Sequence, residues 1–509
     1  GDVQGLRVDH VDGLRDPRGY LQTLRGRAAH SWLLVEKILE PGERLPADWP
    51  VDGTTGYEFI DRLQGLFVER GSEEILTSFY AEFTAEPVDY AEVVQSAKLE
   101  AARDLFQPDV LRLERLLEAV CQGSGVDVSR DDRVEVIRHV AAGLDAYRTY
   151  STDGSAVTAE SRARINAASA AAAKAAPAIP AQLLALVREA LLMERDGAAA
   201  IEFAIRFQQL SGPLMAKGVE DTAFYRYNRL VCLNEVGGNP ARFGVTPEEF
   251  HAANLETLQR HPQAMLASST HDTKRSEDVR ARLSLLTQVA EQWTAAVRRW
   301  AAMNEPHRRT GVPDRNGEYL LYQTLVGAWP LTEDRVQAFM EKAAREARRY
   351  TSWTDPDSKY ETGLRAFVGA VMDNRMFQRD LEAFVQPLIE PGRAVSLAQV
   401  LLKLTAPGIP DFYQGTELWD LSLVDPDNRR PVDFGLRSEL MSQHSSTLQY
   451  GGVHEDLVRA GWDDGLPKLQ VIARSLTLRR SSAAAFGRQS TYTPLYAEGQ
   501  ASGHLIAYG

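Results

Sequence analysis

Three acidic residues could carry out nucleophilic and acid–base chemistry. They are Asp9 in Gly5-Leu-Arg-Val-Asp9-His-Val-Asp-Gly-Leu14, Glu36 in Val35-Glu36-Lys37, and Asp272 in Ser269-Thr-His271-Asp272-Thr-Lys-Arg275. Each closes a stretch that reads as a strand, and barrel enzymes place their reactive groups at that edge. Arg7 lies two residues before Asp9, on the same face of a strand, so its guanidinium favours the ionised carboxylate and suits Asp9 to nucleophilic attack. Glu36 follows an apolar run, and desolvation there is expected to raise its pKa and leave it a proton to donate. Two carboxylates ~5–5.5 Å apart make a retaining glycosidase-type pair. A third, Asp272, could stabilise an oxocarbenium-like transition state. Taken singly, each residue has a plainer reading: a strand-end acid is commonly a solvated turn residue, Arg7 with Asp9 could be a structural ion pair, Asp12 or Asp16 could cap the next helix, and His271 could simply satisfy a hydrogen bond.

The elements that must position these groups can be read from the same text. Val3–Val8 alternates as a strand, and Asp16-Pro17 reads as an N-cap with Pro at the first helical position, opening a helix to about Arg25. Ser31–Leu39 is the mostly apolar run of a parallel strand buried on both faces. From about Arg62 to Leu210 apolar residues recur at helical spacing, as in Leu113, Leu116, Leu117 and Val120, and β-branched runs are scarce, which predicts a helical insertion. Its Ala-rich part ends at Pro177 and Pro180, and an amphipathic helix follows over Gln182–Arg195. Gly212–Gly218 and Ala264–Ser268 are short apolar runs ending in polar clusters and are expected to be further strands. A second helical stretch spans Ser276–Phe384, and a helix over Leu469–Arg480 precedes a hairpin formed by Tyr492–Tyr496 and His504–Tyr508.

Composition narrows the classes. Of 509 residues, 44% are hydrophobic and 25% charged, as in an ordinary globular protein. The balance of 57 basic against 70 acidic residues, net −13, disfavours nucleic acid or an anionic membrane as partner. The Ala-rich stretch Ala167–Val187, interrupted by Lys174, Pro177, Pro180 and Gln182, fails as a membrane span. Cys121 and Cys232 belong to no CxxC or Cys/His cluster, so reduced thiols in the cytoplasm are expected, with no metal and no cofactor. Asp425–Asp433 lacks the Gly and Glu of a calcium loop, and no P-loop, GxGxxG, HExxH or GxSxG motif is present.

In order along the chain, the acids and their neighbours resemble the α-amylase family of glycoside hydrolases: Gly5-Leu-Arg-Val-Asp9-His10 is similar to its nucleophile strand, Glu36 to its general acid and His271-Asp272 to its stabiliser pair. Longer blocks resemble the maltooligosyltrehalose synthases within it. These are Leu214-Met-Ala-Lys217-Gly-Val-Glu220-Asp221-Thr-Ala-Phe224-Tyr225-Arg-Tyr-Asn228-Arg229, Leu233-Asn-Glu235-Val-Gly-Gly238, His271-Asp-Thr-Lys274-Arg-Ser-Glu277-Asp-Val-Arg280-Ala-Arg282, Ala406-Pro-Gly-Ile-Pro410-Asp-Phe-Tyr413-Gln-Gly415-Thr-Glu417 and Asp425-Pro-Asp427-Asn-Arg429-Arg-Pro-Val-Asp433.

The resemblance implies an α/β fold, a TIM-type (β/α)₈ barrel from its fourth strand onward, with large helical insertions. Residues 1–61 would carry strands four and five, 62–211 a helical insertion, 212–485 the rest of the barrel with a second insertion, and 486–509 the start of a C-terminal β-domain. The missing first three strands imply that associated fragments of the same enzyme complete the barrel. The implied reaction is an intramolecular transglucosylation that turns the reducing-end α-1,4 linkage of a maltooligosaccharide into an α,α-1,1 linkage, with Asp9 as nucleophile, Glu36 as acid and base, and Asp272 as stabiliser. Arg7, His10, Lys217, Glu220, Asp221, His271 and Lys274 are the implied substrate-binding residues, and Tyr57, Phe224 and Tyr225 the walls of the pocket that traps the departing glucose. A trehalose-releasing hydrolase or a 4-α-glucanotransferase would share the three acids but not the Lys217–Arg229 block. A glycan-binding barrel without activity is the reading furthest from the motifs.

Overall fold

A computed structural model describes residues 3–152, 157–448, 462–500 and 502–509. The chain divides into two compact units, residues 1–51 with 89–227, and residues 52–88 with 228–509.

In the first unit, strand β1 (Gly5–Val8) pairs in parallel with β2 (Trp32–Val35), in the register Gly5 to Trp32 and Val8 to Val35. The connecting helix Pro17–Arg27 starts as predicted, with Asp16 accepting from the Gly19 N–H at 2.9 Å and Pro17 in the first turn. Asp12 is not a cap. It is buried and lies 3.4 Å from Lys37 Nζ, which also meets Glu43 at 3.0 Å, while the Tyr150 hydroxyl donates to Asp12 at 2.5 Å. Burial alone would lower the Lys37 pKa; the two carboxylates outweigh it, and the net direction is up.

Helices follow in this unit, as the spacing predicts, over Tyr90–Asp104, Gln107–Ser124, Arg130–Gly143, Ala159–Ala175, Ala181–Leu191 and Ala198–Met215. One expectation is corrected here. Gly212–Gly218 is not a strand: Phe203, Phe207, Leu210 and Leu214 are buried in phase along one face of the last helix, so the apolar run is that helix's final turn. The chain then continues as a π-helix over Ala216–Ala223.

In the second unit, after the short strand β3 (Gly53–Thr54), β4 (Met265–Leu266) pairs in parallel with β5 (Ile409–Pro410). Helices Glu277–Ser284, Ala290–Asn304, Arg315–Ala328, Glu333–Ala347, Ser358–Asp373 and Arg375–Thr405 separate them in sequence, which matches the second helical stretch. β6 (Pro494–Leu495) and β7 (Ala507–Tyr508) form the expected antiparallel hairpin. Beneath β4 lies a buried ionic cluster: Lys468 Nζ meets Glu277 at 2.6 Å and Asp278 at 2.9 Å, and Lys403 donates to Ser268 Oγ at 2.6 Å. Although burial pushes the Glu277 carboxyl up, the two lysines hold it down at about 2. Among the described residues no helix is long and apolar enough to cross a membrane.

Candidate active site

The acids of the first unit are set by the strand register. Glu36 N–H donates to Val8 O at 2.8 Å, continuing the ladder one step past the Val8–Val35 pair. Asp9 and Glu36 are therefore the next residues on neighbouring parallel strands, and such strands run ~4.8 Å apart. Arg7 Nη2 meets Asp9 Oδ1 at 3.0 Å, with the Asp9 side chain 75% exposed. His10 follows with φ 45° and ψ 50°, in the left-handed region that a residue with a Cβ enters only at a cost. That turn aims its N–H at Glu36 Oε2, 2.7 Å away. Glu36 is half-buried, one residue past the end of β2.

Asp272 lies in the second unit, on the loop after β4. Its Oδ2 is 3.1 Å from His271 Nε2 and 3.5 Å from the Tyr57 hydroxyl, which also lies 3.4 Å from Thr270 Oγ1. Gly56 makes this approach possible. Its φ is 88°, and a Cβ there would stand 2.3 Å from Met265 O, so only glycine lets the chain pass β4 so closely and deliver Tyr57 beyond the strand end. The Tyr57 ring itself is buried.

The block Lys217–Arg229 begins in the π-helix of the first unit. There Lys217 Nζ pairs with Asp221 Oδ2 at 2.5 Å, Glu220 accepts from the Tyr147 hydroxyl, and Phe224 and Tyr225 are buried. Its end, Asn228 and Arg229, belongs to the second unit. Asp9, His10, Arg7 and Glu36 thus stand together in one unit, and Tyr57, His271, Asp272 and Lys274 belong to the other.

Two residues that hold the Asp272 loop escaped the sequence reading as functional. Glu235 accepts from the Lys274 N–H at 2.7 Å, and Asn428 Nδ2 donates to His271 O at 3.0 Å. Both stand inside the quoted blocks, but a buried polar residue that binds backbone has no period or spacing to announce it. Lys98 was likewise unmarked. It is buried, donates to Leu144 O at 2.6 Å, and is pushed down to about 8 by loss of hydration. Its side chain lies where a Cβ on Gly218 of the π-helix would stand.

No family model matches the chain. A protein of Mycobacterium tuberculosis bearing the name maltooligosyl trehalose synthase is 36% identical over all of this chain and 61% of its own length. The solved maltooligosyltrehalose synthase from Arthrobacter ramosus superposes with a TM-score of 0.86 at 39% identity, over 99% of this chain and 62% of that one. A Sulfolobus tokodaii structure described as a hypothetical maltooligosyl trehalose synthase gives 0.80 at 31% identity, over 98% and 62%. The chain thus spans about three fifths of the length of the relatives it matches. Its parallel strand pairs and helical insertions are the TIM-type α/β fold of these neighbours. In sequence and in fold, the chain is a relative of the maltooligosyltrehalose synthases, the group that its motifs resemble.

Proposed function

We propose that the chain catalyses intramolecular transglucosylation, converting a maltooligosaccharide to its trehalose-ended isomer by a retaining double displacement. The observation that carries this reading is the placement of Asp9 and Glu36 side by side past the paired Val8 and Val35. Asp9 attacks the anomeric carbon of the penultimate glucose, and the bond to the reducing-end glucose breaks as Glu36 gives its proton to the leaving oxygen. Asp272 opposes the positive charge that develops on the ring. The freed glucose turns over, Glu36 takes the proton from its anomeric hydroxyl, and that oxygen attacks the glycosyl ester and releases Asp9. Two inversions restore the α configuration at the donor carbon, and attack by the α-anomeric hydroxyl of the freed glucose gives the α,α-1,1 linkage.

The trapped glucose must react before water does, so the +1 pocket must hold it at high effective concentration. Phe224, Tyr225 and Tyr57 are assigned to that enclosure, and Arg7, His10, Lys217, Glu220, Asp221, His271 and Lys274 to substrate contacts. The enzyme is assigned to the cytoplasm, in keeping with two buried free thiols, Cys121 and Cys232. The remaining length of such enzymes is assigned to segments that accompany this chain, which intact-mass analysis of active material tests. Incubation with maltopentaose tests the activity. A non-reducing product of unchanged mass supports it; free trehalose or shorter sugars mark a hydrolase, longer chains a glucanotransferase, and no change a binding protein.

A further inference from the structure

Asp272 sits on a loop with its side chain 47% exposed; beyond its contacts with His271 Nε2 and the Tyr57 hydroxyl, its placement follows the backbone on either side of it. Both limbs of that loop are pinned by buried side chains from distant parts of the sequence. On the C-terminal limb, Glu235 is 3% exposed. Its Oε1 accepts from the N–H groups of Lys274 at 2.7 Å and Val236 at 3.0 Å, and its Oε2 from the Arg275 N–H at 3.2 Å and Arg280 Nη1 at 3.1 Å. With four donors on its two oxygens, Glu235 is committed to this loop and is not available as an acid or base.

On the N-terminal limb, Asn428 donates from Nδ2 to His271 O at 3.0 Å, and its own carbonyl accepts from the Tyr413 hydroxyl at 3.2 Å. The segment carrying Asn428 is itself anchored, since Asp427 accepts from Arg335 at 2.8 and 2.7 Å and from the Leu423 N–H at 2.7 Å. Removing either clamp leaves the loop covalently intact but free to shift Asp272, and a 1 Å error in a reacting group can cost ~10²-fold in rate.

We propose that Glu235 and Asn428 are positioning residues that act on the reaction through Asp272, by holding the 271–275 loop from both sides. This rests on the reading of Asp272 as the charge-stabilising residue.

A double-mutant cycle tests it, with kcat and KM measured on an α-maltosyl fluoride and corrected for folded fraction. Glu235→Gln and Asn428→Ala are each introduced into the parent and into Asp272→Asn. In the parent each should lower kcat ~10–100-fold with KM changed less than about threefold. In the Asp272→Asn background each should cost less than about twofold, because the group they aim is already disabled. Equal losses in both backgrounds overturn the proposal, and where Asp272→Asn is inactive an unchanged kcat in the parent does so. Parental activity in Asp272→Asn alone overturns the reading of Asp272 and the proposal with it. Should Glu235→Gln not fold, Asn428→Ala, which leaves the buried Glu235–Arg280 pair untouched, decides by the same comparison.

Discussion

The His10 N–H donates to Glu36 Oε2 at 2.7 Å, across the end of the β1–β2 ladder. His10 reaches it by taking a left-handed conformation directly after Asp9. The turn that ends the first strand therefore also fixes the acid at the end of the second. Strain of this kind, of order 1–3 kcal/mol, persists where surrounding structure enforces it.

Asp9→Asn and Glu36→Gln should both abolish the reaction on maltooligosaccharides while leaving the thermal midpoint near the parent's, since the Asp9 carboxylate is exposed and Glu36 only half-buried. Loss of general acid catalysis is worth about 10²–10⁴-fold. On an α-glycosyl fluoride, whose leaving group needs no proton, Glu36→Gln should regain a burst of fluoride release from the first step, the second still lacking its base, and Asp9→Asn should not. Equal loss on both substrates contradicts the division of roles.

Phe224 and Tyr225 are buried, so replacing Phe224 with Ala should destabilise the protein by about 3–5 kcal/mol, measured by denaturant unfolding. As walls of the +1 pocket, the same positions should also govern leakage. The folded fraction of the variant should release more glucose per rearranged product, and an unchanged ratio would assign the Phe224 ring to the core alone.

The strands that carry Asp9 and Glu36 at their ends were legible because Val3–Val8 alternates and Ser31–Leu39 is an apolar run, the patterns of β1 and β2. The sequence misled at Gly212–Gly218, where a short apolar run is the same text whether it closes a helix or forms a strand; only the phase of Phe203, Phe207 and Leu210 separates the two. The cap at Asp16 was legible from Asp-Pro, whereas Asp12, four residues earlier, took a buried lysine as partner instead. Glu235 and Asn428 bind backbone groups brought to them by the tertiary fold, and nothing local in the sequence encodes such contacts.

The ionic cluster under β4 yields a stability prediction. Lys468→Met would leave Glu277 and Asp278 buried with their nearest cation gone, at a cost of about 3–5 kcal/mol. Chemical denaturation should show the loss. A neutral result would mean that Lys403, 3.8 Å from Glu277, suffices for both acids.

Glu40 supplies a pH signature. Burial, with Glu43 adding repulsion, pushes its carboxyl up to about 7, against the opposing pull of Lys37, Lys98 and Arg164. A folded pKa above the unfolded value of 4.5 means that the native state binds the extra proton between them. Stability from this group is therefore full below pH ~4.5 and is lost as pH rises to about 7, at no more than ~1.4 kcal/mol per pH unit. Glu40→Gln should flatten the fall in thermal midpoint between pH 5 and 7; an identical slope in parent and variant would contradict the assignment.

In the proposed reaction sugar, not water, receives the glycosyl group. Incubating the enzyme with maltopentaose in H₂¹⁸O and weighing the products by mass spectrometry tests it directly. The expected product is a non-reducing pentasaccharide of unchanged mass carrying no ¹⁸O. Shorter glucans bearing ¹⁸O at the new anomeric carbon as the main product would contradict it.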